Sequence, residues 1–366
     1  LHRFERNGGI CVNEKGLQIL EQYDIQLQRS FGGRGSLMLE TDQGLKLLKE
    51  FAGSRHKLPL EQRILKRLEE QGICRTDRAV ANREGELISI GEYETPYILK
   101  SWPPGRECDP RNEEDLLRSM RTLARIHREL RGAPGLSGEE KRKLTGTERS
   151  LELGKHNREL RRAQSFIRGR HRKGSFELLY LKCAEGILEN GRQALKRAES
   201  AGFQELYGRA CREEHICHGE YIHHNILLSR QETAVVNFQR FEINVQLGDI
   251  CLFLRKIMEK QNWNEGLAAR MLAAYERELP LSEAENLCLA VSLYYPEKVW
   301  KLIHHYYNAS KAWVPEKSTE KLKVFLEQDE RRKQLIQGLF SASFRLTFNY
   351  KHFTIKMTGS AAGSAE

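Results

Sequence analysis

The residues best suited to chemistry form two polar clusters, each beside a short apolar run. His218, Glu220 and Asn225 precede one apolar run, and Asn237 and Gln239 follow the next. Apolar runs around a polar loop are typical of two short strands, which would hold these side chains at strand ends. The Glu220 carboxylate can accept a proton, whereas the two asparagines offer Mg²⁺ only neutral oxygen atoms.

This hairpin, residues 218–239, resembles the catalytic and metal-binding hairpin of the protein-kinase-like fold, as found in aminoglycoside and choline phosphotransferases. Those enzymes carry His-Gly-Asp, an Asn five residues after that Asp, and an acidic segment after the second apolar run. The spacing from Glu220 to Asn225 is the same. In the family the first Asp accepts the proton of the attacking hydroxyl, and the Asn and the later Asp bind metal. The resemblance implies Glu220 as candidate base, with Asn225 and Asn237 as metal ligands.

Two positions depart from that pattern in charge, and one departs in length. Asn237 replaces the acid that binds the phosphate-bridging Mg²⁺, and Gln239 stands where a second acid is common. The extra methylene of Glu220 moves its carboxylate by roughly 1 Å, a displacement that can cost about 10²-fold in rate. We therefore expect a weak metal site and reduced or absent phosphotransfer.

The residues around the hairpin narrow the resemblance to CotS-type spore-coat proteins of endospore-forming bacteria, a branch of the same superfamily. That resemblance implies a spore-coat function, other spore-coat proteins as partners, synthesis in the mother-cell cytoplasm and deposition on the spore during sporulation. Glu220 and Gln239 depart even from this branch. The segments that carry the resemblance are His223-His224-Asn225, Asn237-Phe238, Asp249 with residues 253–256, and residues 259–263.

The start of the chain predicts a short helix over 13–24 and then three antiparallel strands over 25–31, 36–41 and 45–51. The turn between the first two strands contains Gly33 and Gly35. Its backbone N–H groups could cover phosphates, although it does not match G-x-G-x-x-G.

Lys49 on the third strand shares a face with Leu45 and Leu47, because side chains alternate along a strand. Lys49 either binds an anion inside the protein or lies at the strand end with its ammonium group extended into solvent. In kinases the third-strand lysine contacts the α- and β-phosphates. The next helix, predicted over 59–71, carries Glu61 on its apolar face. By the same resemblance, Glu61 is the candidate partner of Lys49.

A second hairpin, residues 86–100, leads into a segment rich in proline and glycine, residues 101–107. This segment resembles the hinge between the two lobes of the family. Backbone groups from Leu99 to Trp102 would then meet an adenine, which makes ATP with Mg²⁺ the cofactor that the resemblance implies.

The remaining sequence predicts mainly helices. Asn112 caps a helix whose apolar face includes His127, which we interpret as a packed core histidine. Residues 132–147 are expected to form a loop, and the arginine-rich stretch 158–173 is expected to be a solvated surface rather than a phosphate-binding face. Asp249 is expected to support the catalytic-type loop or cap its helix.

Together these patterns predict an α+β, two-lobed, protein-kinase-like fold. Residues 1–100 would form an N-lobe with an antiparallel sheet and one helix. Residues 101–345 would form a helical C-lobe, and 346–366 a C-terminal tail.

Composition limits the classes of protein to which the chain could belong. Its 366 residues are 39% hydrophobic and 30% charged, with a net charge of +10. The sequence has no apolar run of about 18 residues and no signal-peptide pattern, so we expect neither a membrane span nor export by that route. The eight cysteines form no CxxC pair and are expected to be reduced and buried. The charge permits anionic partners, but no motif supports nucleic-acid binding.

Two functions remain open at this point. The first is a spore-coat protein on a kinase-like fold, a pseudokinase acting in coat assembly, which Asn237 and Gln239 favour. The second is an active ATP-dependent phosphotransferase acting on a small-molecule or protein hydroxyl, which Lys49, Glu61 and Asn225 favour.

Overall fold

The computed structural model describes residues 14–33, 35–132, 135–308 and 315–341. The described chain begins with a 3₁₀ helix and continues into a five-stranded antiparallel sheet with the strand order β1-β2-β3-β6-β5. The predicted opening strands are confirmed to within two residues. The elements of this smaller lobe are β1 (Leu27–Gly32), β2 (Leu37–Thr41), β3 (Gly44–Glu50), α1 (Leu58–Glu70), β4 (Arg75–Thr76), β5 (Ser89–Ile90) and β6 (Pro96–Ser101).

The register between β3 and β6 sets which side chains share a face of the sheet. Leu47 on β3 lies directly opposite Lys100 on β6. Residues directly opposite one another in a ladder project from the same face, and residues two apart on one strand do so as well. Lys49 and Lys100 therefore emerge on one face, while Leu99 projects from the other.

The larger lobe is mainly helical, with a few short strands around its central hairpin. Strand β4 joins this region as well, since it pairs in parallel with β10, and Thr76 lies opposite Val235. The two small sheets have the orders β4-β10-β9-β7 and β11-β8. The strands are β7 (Arg106–Glu107), β8 (Ile216–Cys217), β9 (Ile226–Leu228), β10 (Thr233–Val235) and β11 (Glu242–Ile243).

The helices of this lobe pack around an apolar core that reaches the central hairpin through Tyr221, Phe238 and Phe253, each at most 1% exposed. None of the described helices is both long and apolar enough to cross a membrane. The helices are α2 (Glu113–Glu129), α3 (Gly138–Leu144), α4 (Arg149–Gly169), α5 (Ser175–Ser200), α6 (Phe203–Arg212), α7 (Leu247–Met258), α8 (Glu265–Glu276), α9 (Glu283–Tyr294), α10 (Glu297–Asn308) and α11 (Pro315–Leu339).

The predicted loop over residues 132–147 is wrong in part, because it contains helix α3. Ser137 accepts a hydrogen bond from the backbone of Glu140 (3.2 Å), and the Glu140 carboxylate accepts one from the backbone of Ser137 (2.9 Å). This reciprocal capping box begins a short helix that buries only Leu144. The apolar periodicity that indicates longer helices is therefore missing here.

Several smaller expectations are confirmed. Asn112 caps α2 by accepting a hydrogen bond from the backbone N–H of Asp115. The arginines of α4 within the basic stretch, Arg158, Arg161, Arg162 and Arg168, are exposed. The cysteines of the described chain are free thiols, all buried except the half-buried Cys211. Cys11 and the predicted tail after residue 345 lie outside the described residues.

Candidate active site

The catalytic-type loop, residues 218–225, is held from behind by the first turn of α7. The Asp249 carboxylate accepts hydrogen bonds from the backbone N–H groups of His218 (2.7 Å) and Gly219 (2.9 Å), and His127 Nε2 lies 3.2 Å away. Burial opposes the charge, yet these partners lower the pKa of Asp249. Asp249 therefore supports the loop, and His127 is a core histidine, as predicted.

The first two residues of the loop have little conformational freedom. Gly219 has φ +80°, and a Cβ at this position would lie 2.2 Å from the carbonyl oxygen of Arg240, so only glycine fits without a backbone shift. The His218 ring accepts a hydrogen bond from the Glu220 N–H at Nδ1 (3.1 Å) and donates one from Nε2 to the Val236 carbonyl (3.1 Å). This pattern needs the neutral imidazole, and burial accordingly lowers the pKa of His218.

The front of the loop carries Glu220 and Asn225, and the structure brings Asn237, two residues after β10, against them. Asn237 Nδ2 donates a hydrogen bond to Asn225 Oδ1 (2.9 Å), and Asn225 Nδ2 donates one to the Glu220 carbonyl (2.9 Å). The Glu220 side chain is 38% exposed, and its carboxylate lies 3.5 Å from Arg240 Nε. The two amides therefore bind each other.

These residues are a poor fit to a Mg²⁺ ion. Mg²⁺ requires near-octahedral oxygen ligands, usually including one or two carboxylates. Here Asn225 Oδ1 already accepts a hydrogen bond, and Asn237 supplies only a neutral oxygen. Gln239, half-buried in the following 3₁₀ turn, adds no charge. Within the described ranges, no three His, Cys, Asp or Glu side chains are grouped as metal ligands.

A buried ion triad lies behind this site, between the sheet and α1. Lys100 Nζ lies 2.9 Å from Glu61 Oε1 and 2.9 Å from Asp77 Oδ2, and the three side chains are at most 4% exposed. Burial alone would lower the pKa of Lys100, but the two carboxylates raise it. The triad is therefore a fixed ionic group with one more carboxylate than ammonium groups.

The expected pairing of Glu61 with Lys49 is wrong, because Lys100 binds Glu61. Both lysines project from the same face of the sheet, and strand periodicity by itself does not indicate which one meets α1. Lys49 makes no hydrogen bond or ion pair with any described residue. Burial, and then the nearby Lys100 charge, lower the pKa of Lys49, while Asp77, Glu61 and Glu220 oppose the shift. Lys49 is thus a half-buried cation within electrostatic range of both lobes.

Asp77 links the triad to the front of the loop. The backbone N–H of Asn237 lies 3.2 Å from both oxygens of Asp77, and Asn237 adopts the left-handed conformation (φ 66°, ψ 48°). The contact follows from the parallel pairing of β4 with β10, which brings the residues after each strand together. Sequence reasoning missed Asp77 and Lys100. Lys100 is the residue before the last in an apolar strand, as Lys49 is, whereas no local pattern marks Asp77.

The segment that resembles a hinge offers few backbone donors to a base. The N–H of Ser101 donates to the Arg78 carbonyl (2.8 Å) and that of Trp102 to the Leu45 carbonyl (2.9 Å). Pro103 and Pro104 have no N–H. Residues 101–104 therefore present no unused amide hydrogen to an adenine.

The two predicted adenine-contact residues lie in different surroundings. The Leu99 side chain belongs to the apolar cluster on the opposite face of the sheet, and its carbonyl accepts a hydrogen bond from Val80 (2.8 Å). Trp102 packs against the cluster formed by Leu227, Ala234 and Val236. Only Trp102 thus contributes its side chain to the surface between β6 and the central hairpin.

The glycine turn between β1 and β2 is closed by a hydrogen bond from the Gly33 N–H to the Ser36 carbonyl (2.8 Å). Gly35 has φ +69°, a left-handed conformation that favours glycine. Arg34 lies outside the described residues. A role for Gly33 and Gly35 in covering phosphates stays a prediction.

Solved structures with similar folds include phosphotransferases. An aminoglycoside phosphotransferase from Alicyclobacillus acidocaldarius superposes with a TM-score of 0.77 at 16% identity, covering 92% of this chain and 98% of that one. A spectinomycin phosphotransferase solved with ADP and spectinomycin gives a TM-score of 0.61 at 13% identity, covering 88% and 97%. At these identities the comparison establishes the fold, and the predicted two-lobed kinase-like architecture is confirmed.

Sequence comparisons give a more specific result. Spore coat protein S of Bacillus subtilis (strain 168) is 22% identical over 322 residues, which are 86% of this chain and 89% of that protein. The family model described as "Spore coat putative kinase YutH" matches residues 17–339. The predicted resemblance to CotS-type proteins is confirmed, and the chain belongs to this spore-coat family within the kinase-like phosphotransferase superfamily.

Proposed function

We propose that this protein is a component of the spore coat in which the phosphotransferase fold serves as a non-catalytic scaffold for coat assembly. It is made in the mother-cell cytoplasm, deposited on the forespore and bound there by other coat proteins. The observation that carries this proposal is the hydrogen bond between Asn237 and Asn225. It joins the two side chains that a phosphotransferase of this fold would use to bind metal.

The electrostatics of the site support the same conclusion. Phosphoryl transfer depends on cations that neutralise charge developing on the phosphates. Asn237 removes the carboxylate that would hold the principal metal ion, and the nearby acids Glu61 and Asp77 are both bound to Lys100. Among the residues that the structure describes, the other carboxylate beside Asn225 and Asn237 is that of Glu220, and it already lies 3.5 Å from Arg240 Nε.

The hinge supports the proposal independently of the metal site. Base recognition there would need backbone donors, and residues 101–104 provide none. A nucleotide that reached the cleft would depend on Lys49 for its phosphates and on apolar contact with Trp102 for its base. We therefore expect ATP to bind weakly or not at all.

The first test is thermal denaturation with ATP, with and without Mg²⁺, because a ligand that binds only the folded state raises its midpoint. The proposal predicts no Mg²⁺-dependent shift at millimolar nucleotide. A shift that is lost in Lys49→Ala and kept in the matched variant Lys66→Ala would contradict it. Lys66 lies on the exposed face of α1 and pairs only with Glu70 among the described residues.

A second test addresses the coat role directly. A fluorescent fusion expressed in sporulating cells should accumulate on the spore surface. The variants Glu220→Gln and Lys49→Ala should accumulate to the same level, since a scaffold does not require transfer chemistry. Loss of coat localisation in both variants, with normal protein levels, would argue that activity is required.

The alternative is an active phosphotransferase, and one observation favours it. Lys49 is a half-buried cation without a partner in the described chain, and it lies within electrostatic range of Glu220. An anionic phosphate would relieve this arrangement. Transfer of phosphate from ATP that vanishes in Glu220→Gln would establish this function in place of the scaffold.

A further inference from the structure

A cavity of about 410 Å³ lies on the side of the catalytic-type loop that faces the helical lobe. Residues 222–224 of the loop form one wall, and the other walls come from the end of α7, the start of α10 and the middle of α11. The volume falls within the range of small-molecule sites, roughly 300–1,000 Å³. Its lining does not include Lys49, Trp102 or Glu220.

The charged side chains that line this cavity are mostly cationic. Three of them already form ion pairs within the protein, two of these with the same carboxylate. Glu259 accepts hydrogen bonds from Arg255 (2.7 Å) and Lys298 (2.7 Å), and Arg332 binds Asp329. The second lining carboxylate, Glu297, is bound by Arg149 (2.9 Å), which is not part of the lining.

Three lining lysines remain after these pairs are formed: Lys256, Lys260 and Lys321. None of them has a carboxylate partner among the described residues. Lys260 Nζ lies 3.0 Å from His223 Nε2 on the catalytic-type loop. The cavity therefore holds an uncompensated positive charge beside the loop.

Lys256 lies deepest of the three and makes no hydrogen bond or ion pair with any described residue. Burial lowers the pKa of Lys256, and the Arg255 charge lowers it further, while Glu259 partly opposes both effects. A half-buried ammonium surrounded by other cations is unfavourable unless an anion neutralises it. Its position at the end of α7 contributes only a modest compensation through the helix dipole.

The apolar part of the lining consists of buried aromatic side chains. Trp263, Tyr295 and Phe325 are each no more than 9% exposed. Asn262 and Trp263 have φ of 49° and 56°, left-handed conformations that side chains other than glycine rarely adopt. Two such residues in succession indicate a strained segment, which the fold maintains where the Trp263 ring forms the cavity wall.

We propose that this cavity binds a small organic anion carrying two or more carboxylate or phosphate groups, held by Lys256, Lys260 and Lys321. The aromatic side chains pack against the body of the ligand, and the lysines neutralise its charges. This site does not depend on nucleotide binding or on catalysis. A polyamine would be repelled here, so the cavity selects against amine-rich compounds such as aminoglycosides.

Isothermal titration calorimetry without nucleotide tests this proposal. The probes are citrate for carboxylates, pyrophosphate for phosphates and kanamycin as a polycation, all at an ionic strength of about 150 mM to screen diffuse attraction. We expect citrate or pyrophosphate to bind with a Kd of about 1 mM or tighter and kanamycin not to bind. The difference between the two anions identifies the preferred acid group.

Lys256→Met and Lys321→Met should each weaken binding about tenfold, the value of one charge-assisted contact. Lys321 is exposed, so its replacement preserves folding even if Lys256→Met perturbs the end of α7. Arg161→Met removes the same charge from the exposed face of α4 and should change the affinity less than twofold. The proposal fails if neither anion binds, if Arg161→Met weakens binding as much as the cavity variants, or if kanamycin binds more tightly than both anions.

Discussion

The two sides of the catalytic-type loop differ in how many of the charged and structural residues typical of this fold they contain. Behind the loop, Asp249 retains its charge and three hydrogen-bond partners, and Gly219 occupies a position that only glycine fits. In front, the polar positions keep their spacing, but Asn237 and Gln239 are neutral and the asparagines bind each other. The contrast teaches that support of the loop contributes to folding whether or not the front performs chemistry. The front can therefore lose its charges while the fold persists.

The largest effect should follow from removing the support behind the loop. Asp249→Ala leaves the N–H groups of His218 and Gly219 and the His127 ring without their acceptor, at about 1–3 kcal/mol for each unsatisfied buried group. We expect the free energy of unfolding to fall by about 4 kcal/mol, measured by urea denaturation. Glu220→Gln at the front is the matched control and should change it by less than about 0.5 kcal/mol. Equal losses of unfolding free energy in the two variants would contradict the proposed difference between the rear and the front of the loop.

A smaller loss is expected from crowding the same side of the loop. Gly219→Ala places a Cβ against the Arg240 carbonyl at positive φ, and we expect a cost of about 2–3 kcal/mol. Gly248→Ala is the control, because a Cβ at this position of α7 would have no neighbouring atom within 4 Å and Gly248 has no positive φ. Alanine there should stabilise the helix by about 0.5–1 kcal/mol. If Gly219→Ala leaves the free energy of unfolding unchanged, the loop can shift to make room for the Cβ.

Acid should weaken the rear of the loop before it affects the front. Burial lowers the pKa values of His127 and His218, so the folded state keeps both rings neutral while the unfolded state takes up protons below about pH 6.5. Their contribution is present above that pH and is lost as the pH falls towards the lowered folded values. Urea denaturation at pH 7 and pH 5.5 should show lower stability at pH 5.5. A His127→Gln variant with an unchanged pH dependence would contradict this assignment.

The smallest expected effect is a gain at the front. The double variant Glu220→Asp/Asn237→Asp restores the acids typical of the fold and should acquire a Mg²⁺-dependent ATP shift of about 1–2 °C. The control is the single variant Gln239→Glu, which adds one charge beside the same site. It should show no Mg²⁺-dependent shift with ATP. If the double variant shows no shift, the hinge rather than the missing charge prevents nucleotide binding.

Local sequence patterns were sufficient to predict most of the strands and helices, and they also identified the catalytic-type loop. The alternation of apolar residues placed β1 to β3 within two residues, and the spacing of His218, Glu220 and Asn225 identified the loop. The prediction over 132–147 missed α3 because only Leu144 is buried there, although the Ser137 and Glu140 pair that caps it is visible in the sequence. The lobe boundary near residue 100 stays a prediction.

The sequence by itself determined which residues end the strands, and hence which side chains could meet a ligand. Tertiary structure alone decided their partners. Lys49 and Lys100 occupy equivalent positions in the sequence pattern of their strands. The register of β3 against β6 and the position of α1 place Lys100, not Lys49, in an ion pair with Glu61. Asp77 contacts Asn237, 160 residues later in the chain, because β4 pairs with β10. Periodicity specifies the face of an element, whereas partners depend on which elements pack together, and the sequence around a single residue does not contain that information.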